Sequence, residues 1–252
     1  VGIGGSITLP VVGDIDGDGN IEVFIVKLKR ISNNIYEKYL TVLDGKNGTL
    51  KNEVFIAVGN PSNNILSLFD YNADGKAEIC VANGNELRLY DFNLNHLYTS
   101  DLTLQGIGNF QGITDFNGDG VAEIYNRASI FNSQNGKLLI DLMDYGFCEQ
   151  NPNTCIYSES IAADVLPTPG LECIIGNTVY SLNIENYEGK FGNSVSITKA
   201  PDEVLAGKTA VADFDGDGNL DIVFLLRMNT NNAGGLWIWN PILIKVIARG
   251  NV

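Results

Sequence analysis

The chain has 252 residues, of which 44% are hydrophobic and only 18% charged, and it carries a formal net charge of −14 with a pI near 4.3. This length allows one large all-β domain or two ordinary domains with substantial cores. The acidic balance argues against nucleic acids and anionic membranes as partners, and no apolar run reaches membrane-spanning length, which argues against membrane insertion.

Five segments align without gaps as an internal repeat. Their first acidic residues recur every 45 to 56 residues and are Asp14, Asp70, Asp115, Asp164 and Asp213. That period is the length of a four-stranded propeller blade. The sequence therefore predicts an all-β fold, a β-propeller of about five four-stranded blades in a single domain over 1–252, with approximate blades 6–60, 61–106, 107–155, 156–204 and 205–252.

Strand-like runs flank the acidic loop of each repeat. In the first repeat S-I-T-L-P-V-V precedes the loop and I-E-V-F-I-V follows it, and 39–45 and 53–58 supply a second pair of strands. In the second repeat that second pair is predicted at 86–92 and 96–102. The last loop lies between T-A-V-A and L-D-I-V-F-L-L, and such near-continuous apolar runs are typical of strands buried on both faces. We expect no helix of useful length.

Four of the loops share one arrangement of oxygen-bearing residues. Positions 1, 3 and 5 are Asp14, Asp16 and Asp18; Asp70, Asn72 and Asp74; Asp115, Asn117 and Asp119; and Asp213, Asp215 and Asp217. Position 6 is glycine, where the backbone must turn sharply: Gly19, Gly75, Gly120 and Gly218. Position 7 can offer its backbone carbonyl, from Asn20, Lys76, Val121 and Asn219. Position 9 is again acidic: Glu22, Glu78, Glu123 and Asp221.

Six or seven hard oxygen ligands per loop suit Ca²⁺ better than Mg²⁺, and no Cys or His lies in a loop to favour zinc or copper. We therefore expect about four calcium sites. An EF-hand would need Glu at position 12, where the chain has Ile25, Val81, Asn126 and Phe224. The remaining alternative is a set of ordinary Asx- and Gly-rich turns, which four repetitions of the same ligand pattern disfavour.

The fourth loop departs from the pattern. It keeps Asp164 and Glu172 at positions 1 and 9, but Leu166 and Thr168 replace the middle ligands and Pro169 replaces the glycine. Two carboxylates alone make a poor calcium site, so we expect a metal-free loop here, held rigid by its prolines.

The motif D-x-[DN]-x-D-G-x-x-[DE] between strands resembles the FG-GAP repeat, also called VCBS-type, of integrin α-subunit propellers and of many bacterial and archaeal surface proteins. The resemblance implies calcium in the loop that joins the first two strands of each blade, and an extracellular or cell-surface location. Clear F-G and G-A-P motifs are absent, and integrin-type propellers have seven blades. The chain is thus either a five-bladed ring or a piece of a larger propeller.

For function we expect structural calcium and a binding or scaffold module for a protein partner, adhesion or a surface assembly, without enzymatic activity. No catalytic residue is assigned: His96 is the only histidine, and no nucleophile elbow or Walker loop occurs. The alternative is a lectin-like, glycan-binding propeller using Trp237 and Trp239. If both rings were exposed they would favour glycan, and if both were buried they would remove it. A glycan-active enzyme is a weaker alternative.

The four cysteines fall into two classes. Cys148 and Cys155 enclose a polar loop, where a disulfide would suit an oxidising compartment. Cys80 and Cys173 lie in apolar strand runs and are expected to be buried free thiols. Asn47 in N-G-T is a candidate glycosylation site. Because the chain begins at Val1, we expect it to be processed or cut from a longer protein.

Overall fold

The computed structural model describes residues 9–60, 64–83, 86–101, 111–147, 159–200, 208–226 and 235–251. Cys148 and Cys155 lie outside these ranges, so their pairing stays a prediction. The chain divides into two compact units, one formed by Val1–Ile107 with Ser133–Gly136 and the other by Gly108–Asn132 with Lys137–Val252. The extent of a single domain over 1–252 also stays a prediction.

The first unit contains two four-stranded antiparallel sheets in sequential order. One sheet consists of β1 (Val11–Gly13), β2 (Glu22–Ser32), β3 (Ile35–Asp44) and β4 (Leu50–Gly59). The other consists of β5 (Asn64–Phe69), β6 (Glu78–Asn83), β7 (Glu86–Tyr90) and β8 (His96–Thr99). The first strands of the two sheets, β1 and β5, are neighbours.

The second unit contains three sheets of the same kind. They are β9 (Gly112–Thr114), β10 (Glu123–Asn126), β11 (Ser129–Asn132) and β12 (Leu138–Asp141); β13 (Ser160–Ala163), β14 (Glu172–Ile175), β15 (Thr178–Asn183) and β16 (Ser194–Lys199); and β17 (Thr209–Ala212), β18 (Asp221–Leu226), β19 (Gly235–Asn240) and β20 (Lys245–Asn251). Strand β13 lies between β9 and β17, so the first strands of the three sheets are neighbours.

Burial explains why the middle strands are so apolar. In β2, Phe24, Val26 and Leu28 are buried in alternation with half-buried residues, and they pack with Leu40 of β3. In β10, β11 and β14 every residue is buried, as expected for strands covered on both faces. The five sequential antiparallel sheets confirm the predicted all-β, β-propeller-like fold.

Helix is almost absent from the described part of the chain. It is limited to the 3-10 turn Leu142–Tyr145, which begins where the Asp141 side chain accepts the Met143 N–H and ends at Gly146 with a positive φ. Within the described ranges, no helix is long and apolar enough to cross a membrane.

Candidate metal centres

Every acidic loop occupies the same place in its sheet, between the first and the second strand. Position 1 is the residue directly after the first strand, and position 9 is the first residue of the second strand. For the first loop these are Asp14, after β1, and Glu22, which begins β2. The strand ends therefore fix both ends of each loop, and eight peptide units between them must curl into a compact turn.

The position-1 carboxylate curls the loop by accepting backbone N–H groups. In the first loop Asp14 Oδ1 accepts from Gly17 (2.9 Å) and Asp18 (3.1 Å), and Oδ2 accepts from Gly19 (2.8 Å). Asp115 and Asp213 repeat all three bonds, and Asp70 repeats two of them. In each of these loops several backbone N–H groups therefore donate to one carboxylate of the same loop, and these internal bonds form the turn.

The middle positions continue the curl. Position 3 accepts the N–H of position 5, as Asn117 Oδ1 does from Asp119 at 3.2 Å, and position 5 accepts the N–H of position 7, as Asp119 Oδ1 does from Val121 at 2.8 Å. The same bonds occur in the other three loops of this pattern. The position-6 glycines all have φ between 83° and 91°, as the sequence predicts: Gly19, Gly75, Gly120 and Gly218.

Position 9 places a buried acid beneath each loop. Its carboxylate accepts the N–H of position 2 in all five loops, for example from Phe116 to Glu123 at 2.9 Å and from Phe214 to Asp221 at 3.0 Å. The side chains are at most 3% exposed: Glu22, Glu78, Glu123, Glu172 and Asp221. A buried carboxylate is costly unless its other oxygen is also satisfied.

The second carboxylate oxygen of position 9 has different surroundings in different loops. Lys51 Nζ lies 2.5 Å from Glu22 Oε1 in the first loop, and Asn240 Nδ2 donates to Asp221 Oδ1 at 3.2 Å in the fifth. In the third loop Glu123 Oε1 is buried and has no hydrogen-bond partner among the described residues. Burial raises the pKa of Glu123 to about 8, and the charges of Asp115 and Asp119 add to that shift.

The donor set fits a hard cation. Carboxylate oxygens of Asp14, Asp16 and Asp18 lie within 4.8 Å of one another, and so do those of Asp213, Asp215 and Asp221. The second and third loops carry Asn at position 3, so their side-chain donors are two carboxylates, an amide and the buried acid. Oxygen is the only donor element, and the unpartnered Glu123 Oε1 makes the third loop the best supported of the four.

One of the expected ligands, Glu22, has competing contacts at its carboxylate. Glu22 already bonds Lys51 and the Ile15 N–H, and it is not part of the first carboxylate group. At position 7 the Lys76 ammonium lies 4.0 Å from the centre of the Phe92 ring, and the candidate ligand of this residue is its backbone carbonyl. Lys51, from β4, was not predicted from the sequence.

The fourth loop is closed by protein groups. Glu172 Oε2 accepts the N–H groups of Val165 (2.9 Å) and Leu166 (3.2 Å), and Thr168 Oγ1 donates to Oε1. The Leu166 side chain turns inward and packs against an apolar cluster. The hydroxyl at position 5 and the leucine at position 3 thus occupy the places of candidate oxygen ligands in the other loops.

A residue far away in sequence reaches the third loop. The Tyr187 hydroxyl donates to Asp119 Oδ2 and accepts from Asn117 Nδ2 at 2.8 Å. Partial burial and the bond to Asp119 raise the pKa of the Tyr187 hydroxyl, which therefore remains a donor. No motif in the sequence indicates this contact, since Tyr187 lies 68 residues beyond Asp119.

The remaining candidate residues lie outside the acidic loops, and their burial and contacts differ. His96 is exposed, bonds Thr99 Oγ1 at 2.9 Å and meets the Tyr90 ring edge-on. Trp239 is fully buried, whereas Trp237 is half-buried against Phe224, so the pair meets neither condition set for glycan binding. Cys80 and Cys173 are buried and form no disulfide with a described residue, which agrees with the prediction of buried thiols. Asn47 is exposed in the turn after β3.

Comparison with solved structures places the fold among propeller-like proteins. The Vibrio cholerae biofilm matrix protein Bap1 has a TM-score of 0.63 and 18% identity, covering 99% of this chain and 40% of its own. The rhamnogalacturonan lyases YesX (TM-score 0.62, 17% identity, 95% and 45% coverage) and YesW (0.60, 18%, 96% and 46%) are similar. The chain spans less than half of each of these proteins. No protein-family model and no curated protein matches the chain.

Proposed function

We propose that the chain is a calcium-stabilised β-propeller of the FG-GAP or VCBS type that serves as a binding or scaffold module in an extracellular or cell-surface assembly. The calcium part rests on the repeated loop. In it the backbone N–H groups turn around the position-1 aspartate, and position 9 supplies a buried acid. In the third loop this acid, Glu123, keeps one buried oxygen without a partner in the described part of the chain. A cation bound in this loop would supply the partner that this oxygen lacks.

The role proposed for calcium is structural. Like charges lie close together at positions 1, 3 and 5 of the first loop and at positions 1, 3 and 9 of the fifth loop, and they repel one another in the absence of a cation. An ion that binds only the folded chain stabilises it by about 2.7 kcal/mol per site at a hundredfold excess over Kd. We expect the ligand sets to be complete without an open position for substrate, which favours a non-enzymatic role.

The scaffold part rests on the fold and on the solved structures that share it. The fold is shared with a biofilm matrix protein, but at 18% identity this likeness supports the fold and leaves the partner as a proposal. The fold is equally shared with rhamnogalacturonan lyases. A glycan platform formed by the two tryptophans is disfavoured, because the Trp239 ring is 0% exposed.

Calcium dependence is tested by thermal unfolding of the chain in EGTA and after stepwise addition of CaCl₂, with MgCl₂ as the control cation. We expect a rise in Tm with calcium, a smaller rise with magnesium, and a calorimetric stoichiometry near four. An unchanged Tm after EGTA treatment would refute structural calcium.

The binding role is tested separately. A glycan array and a cross-linking experiment on intact cells of the source organism distinguish the two partner classes. Protein cross-links at the cell surface that disappear in EGTA are expected for the scaffold role. Saturable array hits without such cross-links would instead favour the glycan-binding alternative.

A further inference from the structure

The segment Glu185–Asn193 connects β15 and β16, and the Asn193 side chain holds its two ends together. Asn193 Oδ1 accepts the N–H groups of Glu185 (2.9 Å) and Asn186 (2.8 Å), and its Nδ2 donates to the carbonyls of Asn186 (2.9 Å) and Gly189 (3.1 Å). The same Nδ2 donates to Leu139 O at 3.1 Å, which ties the segment to β12 of the neighbouring sheet.

Further contacts hold the segment against the sheet that carries the third loop. Asn132 Nδ2 donates to the Tyr187 carbonyl at 3.2 Å, and the Lys190 ammonium lies 2.6 Å from Asp144 Oδ2. The Tyr187 ring packs against the apolar cluster that contains Phe116, which is position 2 of the third loop. Packing therefore fixes the position of the Tyr187 ring. The Tyr187 hydroxyl contacts the third loop although Tyr187 is not part of that loop.

That hydroxyl orients two of the candidate ligands. Asn117 Nδ2 donates to this hydroxyl at 2.8 Å and to Asp119 Oδ2 at 3.2 Å, and the two bonds hold the amide with Oδ1 toward the Asp119 N–H. By donating to Asp119 Oδ2 the Tyr187 hydroxyl fixes the second carboxylate as well. Only the oxygen of an Asn amide can bind a cation, and outer partners that fix a ligand's orientation raise metal affinity.

The second loop provides an internal comparison. It has the same ligand types at positions 1, 3, 5 and 9, yet within the described residues Asn72 Nδ2 bonds only Asp74 Oδ2, at 3.3 Å. Tyr71 is next to Asn72 in sequence, but among the described contacts its hydroxyl bonds no side chain of the loop. The third loop thus differs from the second by an outer tyrosine and by the buried, unpartnered Glu123 Oε1.

We propose that Tyr187 is a positioning residue of a calcium site in the third loop, so that this site is built from two adjacent sheets and its occupancy is linked to the order of segment Glu185–Asn193. The inference rests on the proposed calcium binding. Linkage is reciprocal: if the ordered segment favours the cation, the cation must favour the ordered segment by the same factor.

The test compares Tyr187→Phe with Tyr71→Phe by calcium titration calorimetry. Phe keeps the ring packing and removes only the hydroxyl. We expect Tyr187→Phe to weaken one site by about 10- to 100-fold while the other sites keep their affinity. Tyr71→Phe should leave all sites unchanged. Far-UV circular dichroism in EGTA checks that both variants remain folded.

A Glu123→Gln background identifies the weakened site. With the third loop already impaired, Tyr187→Phe should have no further effect on calcium affinity. Amide hydrogen exchange of residues 185–193 gives an independent readout: calcium should slow exchange there in the wild type and not in Tyr187→Phe.

The outcomes separate the two proposals. Absence of calcium binding by the wild type would overturn the calcium proposal, and the role of Tyr187 with it. Wild-type calcium binding with an unchanged third site in Tyr187→Phe would overturn the role of Tyr187 alone. A third result is also informative: Tyr187→Phe weakens the third calcium site, but calcium does not change amide exchange of residues 185–193 in the wild type. That result would overturn the linkage to segment order.

Discussion

The Thr168 hydroxyl donates a hydrogen bond to the Glu172 carboxylate inside the fourth acidic loop. Glu172 is 1% exposed and also accepts two backbone N–H groups, so neutral protein donors surround a buried carboxylate. A hydrogen-bond donor at position 5 thus replaces the aspartate that the other loops carry there. This loop should fold in the same way with and without calcium.

Thr168→Val removes that donor while keeping the shape of the side chain. A buried carboxylate oxygen that loses its partner costs about 1–3 kcal/mol, so we expect the free energy of unfolding to fall by that amount. Urea unfolding in EGTA and in calcium should give the same loss. Thr49→Val, at an exposed turn, is the control and should change stability by less than about 0.5 kcal/mol. A loss that appears only in calcium would contradict the metal-free assignment.

Glu123→Gln should remove one calcium site. The buried Oε1 of Glu123 is the oxygen that lacks a partner among the described residues, and a neutral amide supplies less charge to a cation. Calorimetry is expected to show three strong sites where the wild type shows four. Glu172→Gln, at the same position of the fourth loop, is the matched control and should leave the stoichiometry at the wild-type value. Equal effects of the two substitutions would argue against selective use of the third loop.

Gly170→Ala should be more damaging than alanine at other left-handed glycines. Gly170 has a φ of 89°, and an added Cβ would overlap the Phe116 carbonyl oxygen. Gly48 has a φ of 72° with nothing within 4 Å of a built Cβ, so Gly48→Ala measures the backbone cost alone, about 1–2 kcal/mol. We expect Gly170→Ala to cost roughly 1–3 kcal/mol more. Denaturant unfolding of both variants checks the difference, which should be absent if the two loops are not in contact.

Stability should decrease at alkaline pH because of Cys173. Burial raises the pKa of its thiol to about 12 from an ordinary 9.0. The folded state therefore retains a proton that the unfolded state loses, so this contribution is complete below pH 9 and is lost as pH rises toward 12, by at most about 1.4 kcal/mol per pH unit. Urea unfolding from pH 8 to 10.5 should show a shallower decline for Cys173→Ala.

Val179→Ala, at an equally buried position without a titrating group, is the control for this pH dependence. It should lower stability by a similar amount at every pH and keep the wild-type slope. Tyrosine ionisation contributes in all three proteins, so the difference between the slopes reports the thiol together with its effect on the pKa of Tyr125 and Tyr180. Parallel curves for the wild type and Cys173→Ala would contradict the prediction.

The local features of the fold were predictable because the repeat encodes them. Position 1 directly follows a strand and position 9 begins the next, as the flanking apolar runs indicate. The glycine at position 6 needs a positive φ, which Gly120 and its equivalents have. Even the altered fourth loop was visible, because Leu166 and Thr168 cannot act as the carboxylates they replace.

The long-range features were not predictable from the pattern. Lys51 meets Glu22 across 29 residues, and Tyr187 meets Asp119 across 68. Neither contact follows a period, because each depends on where a hairpin or a connecting segment ends relative to its neighbour. The exposure of the tryptophans was also undetermined, since alternation in β19 places Trp237 and Trp239 on one face without fixing how deeply each is covered.

Successive loops are joined by a backbone bond: Ala77 N–H donates to Ile15 O at 3.0 Å in the first unit, and Leu171 N–H donates to Phe116 O at 2.7 Å in the second. In each pair, the N–H of position 8 of one loop donates to the carbonyl of position 2 of the loop before it. A truncation made between two sheets would therefore leave the preceding loop with an orphaned carbonyl. For gene dissection, a fragment that retains such a bond must contain position 2 of one loop and position 8 of the next, as a fragment with both Ile15 and Ala77 does.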